Sequence, residues 1–156
     1  INNNQSQSEG VYFSEVLMTA KEYLSQAYKI DNDINSKLEQ VASLRDLATK
    51  ATSTMSDMPG SPNRNIHKME DAIVKIIALE DEINSDIHEL ISLKADITHM
   101  IKRVANRAER TILEKRYLCF DTWEQISVDM GYSIQHTFRL HDKALKEIDG
   151  FLKVES

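Results

Sequence analysis

One stripe of residues constrains this chain more than any other feature. Met69, Ile73, Ile76, Glu80, Ile83, Ile87, Leu90, Lys94, Ile97, Ile101 and Val104 recur at alternating steps of four and three. A mean step of 3.5 places them on one line of an α-helix, the a/d seam of a coiled coil sustained over about five heptads. A strand, whose faces alternate every two residues, cannot use such a pattern. At 1.5 Å per residue, a helix from Ile66 to Val104 spans roughly 58 Å. Its apolar line needs a long partner, either a second helix of the same chain or a second chain. Glu80 and Lys94 are polar interruptions of the kind that set register.

The partner lies immediately upstream. From about Thr19 to Met55, the residues Leu24, Ala27, Ile34, Leu38, Val41, Ala48 and Met55 recur at helical steps on one stripe. Between the two patterns, Ser56 to Asn65 contains Pro59, Gly60 and Pro62, three of the chain's 4 Gly and 2 Pro. Proline removes helical hydrogen bonds and glycine loosens the backbone, so this segment reads as a loop joining an antiparallel hairpin. The scarcity of breakers elsewhere argues against a β or loop-rich fold, which needs frequent turns. Ile1 to Gly10 are polar and rich in Asn, Gln and Ser, the composition of a disordered tail. With Met18 as a plausible start, residues 1–17 read as a disordered or non-native extension.

Beyond the seam the pattern changes. Asn106 with Glu109, and Thr122 with Gln125, have the spacing of capping boxes and open two helices. The second ends at Gly131, and Ser133 caps a last helix expected to run from Ile134 to about Asp149, stopped by Gly150. Two helices joined by Gly131-Tyr132-Ser133 have the proportions of a helix-turn-helix, with Ile126, Met130, Leu140, Ala144 and Leu145 as its small core. The expected fold is all-α: a long, coiled-coil-like antiparallel hairpin over residues 18–105, then a helix-turn-helix unit over 106–156.

Bulk charge is a poor guide to partners here. The net charge is −6, yet residues 99–156 hold ten Lys or Arg against nine Asp or Glu, while residues 1–98 hold nine against sixteen. Lys102, Arg103, Arg107, Arg110, Lys115 and Arg116 form a local basic cluster suited to backbone phosphates or to an acidic partner helix. No apolar run approaches the roughly 20 residues of a membrane span, so no membrane partner is expected. The single Cys119 rules out a disulfide framework within the chain and fits a reducing cytosol. Beside Tyr117 and Phe120 it reads as a small buried residue. No Gly-rich phosphate loop, paired cysteines or His-Glu-x-x-His is present. Asp96-Ile-Thr-His99 is an isolated element without the facing repeats a carboxylate-bridged metal bundle needs. His88 and His99 share a helix face, and solvent exposure accounts for both. No enzyme activity, metal site or cofactor is expected.

The wording of the C-terminal third adds to the spacing. Thr122-Trp-Glu-Gln-Ile-Ser-Val-Asp-Met-Gly-Tyr-Ser133, followed by Lys143-Ala-Leu-Lys-Glu-Ile148, resembles the end of region 4 of bacterial sigma factors, without a gap over about 27 residues. Arg116-Tyr117-Leu118 resembles that family's preceding helix. The chain from Met18 to Phe151 also resembles the phage and prophage late-transcription regulators of the ArpU and RinA types, through Met18-Thr-Ala-Lys-Glu-Tyr-Leu, the Asp57-Met-Pro-Gly-Ser-Pro loop and Gly131-Tyr-Ser-Ile-Gln-His136. Ile134 and Thr137 stand where sigma region 4 usually carries Arg or Lys, and Phe138 where a charged residue is common. The resemblance therefore implies major-groove docking but not promoter −35 recognition.

In such units, side chains near the start of the second helix reach base edges while basic residues hold phosphates. The candidates are Ser133, Gln135, His136, Arg139, Lys143 and Lys146. Gln135 offers a bidentate pair for adenine and Arg139 one for guanine, with Lys143 and Lys146 placed for phosphates. His141 is expected to meet a phosphate or to be solvated. Trp123 is expected to cover the small core. The implied function is a phage-type transcription regulator in the cytoplasm of a bacterial host, binding duplex DNA, with the hairpin dimerising it or contacting RNA polymerase. The alternative is a helical oligomeric scaffold or a phage packaging subunit.

Overall fold

The structure is a computed structural model that describes residues 18–54 and 62–155. The described residues form five helices and no strand: α1 Ala20–Thr54, α2 Pro62–Lys102, α3 Arg107–Tyr117, α4 Trp123–Met130 and α5 Ile134–Glu155. The all-α expectation holds. Residues 1–17, Met55 and most of the expected inter-helix loop lie outside the described residues.

Local chemistry explains the helix starts. Thr19 and Glu22 form a capping box: the Glu22 amide donates to Thr19 Oγ1 at 3.2 Å, and the Thr19 amide donates to Glu22 Oε2 at 2.9 Å. That contact holds the Glu22 carboxyl below the usual carboxylate range. Pro62 opens α2, four residues earlier than the expected Ile66. The first turn tolerates proline, because its missing amide would have no intrahelical partner there anyway.

α1 and α2 pack antiparallel, joined across their length by Lys37 to Asp86 at 2.5 Å, Arg45 to Glu80 at 2.6 Å and Thr52 to the Met69 sulfur at 3.3 Å. The polar interruptions of the seam thus have separate uses. Glu80 pairs with α1, whereas Lys94 donates to the Leu118 carbonyl at 3.1 Å and lies 4.7 Å from the Phe120 ring. Lys94 therefore ties α2 to the α3–α4 connection.

The core has two parts. The larger joins Ala20, Leu24 and Ala27 of α1, Ile97, Met100 and Ile101 of α2, Leu113 and Tyr117 of α3, and Ala144 and Ile148 of α5. The smaller, along the α1–α2 pair, contains Ile34, Val41 and Ile83. The stripe is buried where α3 and α5 add a third and fourth wall. Farther out, where only α1 covers α2, Ile73 and Ile87 of the seam and Leu38 of α1 remain exposed. Two helices can bury only a narrow line of each other, so an apolar stripe about 100° wide needs further partners to close.

The last helix is longer than its sequence suggests. Gly150 lies inside α5, which continues to Glu155. Phe151 and Leu152 pack on the main core, the Asp149 carboxylate accepts from the Ala20 amide at 2.6 Å, and Glu155 pairs with Arg103. Burial and these tethers outweigh the roughly 1 kcal/mol that glycine costs in a helix.

Candidate nucleic-acid interface

α3, α4 and α5 form the unit that carries the predicted site. Asn106 and Thr122 cap α3 and α4 as their spacing implies, accepting from the amides of Glu109 at 3.1 Å and Gln125 at 3.2 Å. Gly131 ends α4 in the left-handed region at φ 68, which frees the Tyr132 amide to bond back to the Ser127 carbonyl at 3.0 Å. Ser133 then caps α5 through its hydroxyl, which accepts from the His136 amide at 3.2 Å.

α5 divides sharply into two faces. Thr137, His141, Ala144 and Ile148 are buried against α1, α3 and α4. Gln135, Arg139, Lys143 and Lys146 are exposed. At steps of four, four and three they fall within about 80° of the helix circumference. Asp142 is exposed in the same sector. His136 is half-buried, its ring 4.8 Å from Tyr132 in an edge contact, and Ser133 is exposed at the cap. The six predicted residues thus lie along one edge, from the turn to the middle of α5. Of the expected small core, Ile126 and Ala144 are fully buried and Met130, Leu140 and Leu145 half-buried; Ile112, Leu113 and Ile148 belong with them.

Three expectations are corrected. His141 is not solvated: only 7% of its surface is exposed, and its Nε2 lies 2.7 Å from the Tyr117 hydroxyl. Burial lowers its pKa to about 4, and burial likewise raises that of Tyr117 to about 12, so both are neutral at physiological pH. Cys119 is exposed rather than buried, because it sits in the connection after α3 while Tyr117 and Phe120 turn inward. The basic cluster is largely used up within the fold. Arg110 donates to the Val104 and Ala105 carbonyls at 2.6 and 2.9 Å, satisfying the end of α2. Lys115 pairs with Asp129 at 2.9 Å, and Arg116 donates to the Asp121 carbonyl and stacks 4.7 Å from the Trp123 ring. Arg103 pairs with Glu155 and covers the Phe151 ring. A cation count along a sequence cannot distinguish a side chain aimed at solvent from one bonding a helix end.

The positioning of α5 depends on a buried polar line that the sequence does not announce. The Ser127 hydroxyl lies 3.0 Å from that of Thr137, which also donates to the Ser133 carbonyl at 3.0 Å. This ties α4 to α5 and to the turn. Trp123 packs edge-on against Phe138 at 5.1 Å and against His141 at 4.6 Å, roofing the core as expected. Phe138, at a position where sigma region 4 commonly carries charge, makes that contact instead.

Residues 50–149 match the family described as "Protein of unknown function (DUF1492)". The chain belongs to this family. The matched region runs from the end of α1 through most of α5, so the DUF1492 unit includes both the α2 seam and the exposed edge of α5. No curated protein and no solved structure matches the chain. No helix among the described residues is long and apolar enough to cross a membrane.

Proposed function

We propose that this chain is a phage-type transcription regulator that binds duplex DNA by laying the exposed edge of α5 in the major groove. The observation that carries the reading is the division of α5, with Gln135, Arg139, Lys143 and Lys146 in one open sector and a buried face locked to α3 and α4. Gln135 and Arg139 lie nearest the N-terminal end of the helix, where a recognition helix reads base edges. Lys143 and Lys146 lie farther along and suit phosphates. No ion pair among the described residues engages Arg139, Lys143 or Lys146. Lys102 and Arg107, near the start of α3, are the cluster members whose side chains make neither an ion pair nor a hydrogen bond among the described residues, and they extend the phosphate-binding surface. The sigma region 4 and ArpU/RinA resemblance supports the same assignment, together with a bacterial cytoplasmic setting, non-enzymatic action and contact with RNA polymerase. In this reading Asp142 acts against loose binding, since a carboxylate beside phosphates penalises poor registry.

The test is selection of binding sites from random duplex DNA, repeated with Arg139→Ala. Enrichment of a defined site by the native chain, lost or relaxed at one base pair in the variant, is the expected result. An unenriched pool, or a site that Arg139→Ala leaves unchanged, refutes the assignment. The scaffold reading is favoured by one observation, the uncovered isoleucines of α2, and those fit a regulator with a dimerisation arm equally well.

A further inference from the structure

α2 carries an exposed apolar row made of two seam residues, Ile73 and Ile87, and two beside the seam, Ile77 and Ile91. Ile73, Ile77, Ile87 and Ile91 expose 45, 54, 38 and 63% of their surface. At 3.6 residues per turn they fall within about 80° of the helix circumference, beside the face that Ala72 and Ile83 bury against α1. Together they leave open about as much surface as two fully uncovered isoleucines. Isolated exposed apolar side chains are ordinary, but four isoleucines aligned on one helix mark an interface.

The row is symmetric about Glu82. Ile73 and Ile91 lie nine positions on either side of it, Ile77 and Ile87 five, and Glu80 and Asn84 two. A two-fold interface brings a patch onto its own copy, so the patch must be self-complementary under reversal. This one is. We propose that a second copy of the chain covers the row, with the two α2 helices antiparallel and crossing at the level of Glu82, whose own side chain lies on the far side of the helix near Lys37. Ile73 then meets the partner's Ile91, and Ile77 meets the partner's Ile87. Glu80 faces the partner's Asn84, whose amide donates to the carboxylate. A parallel pair would instead set Glu80 against its own copy, two like charges on the seam. Leu38 of α1 borders the same side of α2, in a groove shared with Arg45, Glu80 and Asn84, so the pair of hairpins closes as a four-helix bundle. That supplies the extra walls which α3 and α5 provide at the other end of α2.

The dimer is independent of the DNA-binding assignment, and each can fail without the other. Light scattering on the full chain is expected to give twice the mass of 17.9 kDa. Ile77→Lys and Ile87→Lys are expected to give monomers with unchanged helical circular dichroism, since both side chains are already exposed. Val74→Lys, exposed but off the row, should leave the dimer intact. The register is tested in a Cys119→Ser background. Chains carrying Ile77→Cys are mixed with chains carrying Ile87→Cys and oxidised, and the mixture is expected to form cross-linked dimers. Either variant alone should not, because its two copies sit about 15 Å apart along the bundle, too far for a disulfide. A monomeric native chain, a dimer that survives Ile77→Lys, a mixture that fails to cross-link, or self-cross-linking of Ile77→Cys overturns the proposal.

Discussion

His141 offers a quantitative test of how α5 is held. Its imidazole is enclosed by Tyr117, Trp123 and the body of α5; Asp142 lies 3.8 Å from Nδ1, and Arg116 and Lys21 are the nearby cations. Burial is the largest influence on it, followed by an opposing one from Asp142, and the folded pKa falls to about 4 from the ordinary 6.5. In the unfolded chain the same ring protonates near 6.5. Between these values the unfolded chain therefore binds more protons, so stability is fully present above about pH 6.5 and is lost as pH falls toward 4. The whole span corresponds to about 3 kcal/mol, of which about 2 kcal/mol disappears between roughly pH 7 and pH 5. That is a large fraction of the stability of a small fold. Urea unfolding at the two pH values measures it. The comparison is the double variant His141→Leu, Tyr117→Phe, which removes the titrating ring without leaving the tyrosine hydroxyl unpaired. The exposed carboxylates titrate alike in both proteins and cancel. The native chain should lose about 2 kcal/mol more than the variant over this interval. Equal losses would refute the claim that a neutral His141 is buried against Tyr117.

Four further outcomes are expected. Gly131→Ala and Gly150→Ala should have opposite signs in urea melts, although no atom lies within 4 Å of an added Cβ at either site. The first forces alanine into the left-handed region at a cost of about 1 kcal/mol, and the second gains about 0.5–1 kcal/mol of helix propensity within α5. Ile83→Asp should remove about 3 kcal/mol or more, because it places a carboxylate between Ile34 and Val41; Ile87→Asp should leave unfolding of the separate chain nearly unchanged, as compared by circular dichroism at low concentration. Cys119 should react with a thiol reagent in the native state at a rate close to that in urea, and strong protection would contradict its exposure. If the DNA-binding and dimer proposals both hold, selected sites should contain paired half-sites about 20 base pairs apart. The ends of the two α2 helices lie about 60 Å apart across the dyad, near two turns of duplex.

Much of the molecule was legible in its residues because the signals were local. The caps at Asn106, Thr122 and Ser133 work through hydrogen bonds spanning three residues, and the left-handed Gly131 serves a turn only three residues long. Periodicity identified α1 and α2 for the same reason, since a helix repeats its face within four positions. The edge of α5 was legible too, because side chains four apart share a face wherever the helix packs. Gly150 was misleading. Glycine is a common helix stop, but here the contacts of Phe151 and Leu152 with a distant core decide the matter.

The amino-acid sequence by itself determined that the chain is helical, where the breaks after α2, α3 and α4 fall, and which residues of α5 share its open edge. These follow from backbone hydrogen bonding and from a 3.6-residue repeat, both short-range. Only the tertiary structure decided which cations are spent on helix ends and carboxylates, that His141 lies inside against Tyr117, and that Ile73 and Ile87 of an apparently continuous isoleucine seam are left uncovered. Each of these depends on which elements meet, because burial and ion pairing act between residues far apart in the chain. The α2 stripe looks uniform in sequence; α3 and α5 close it at one end, and α1 alone leaves it open at the other.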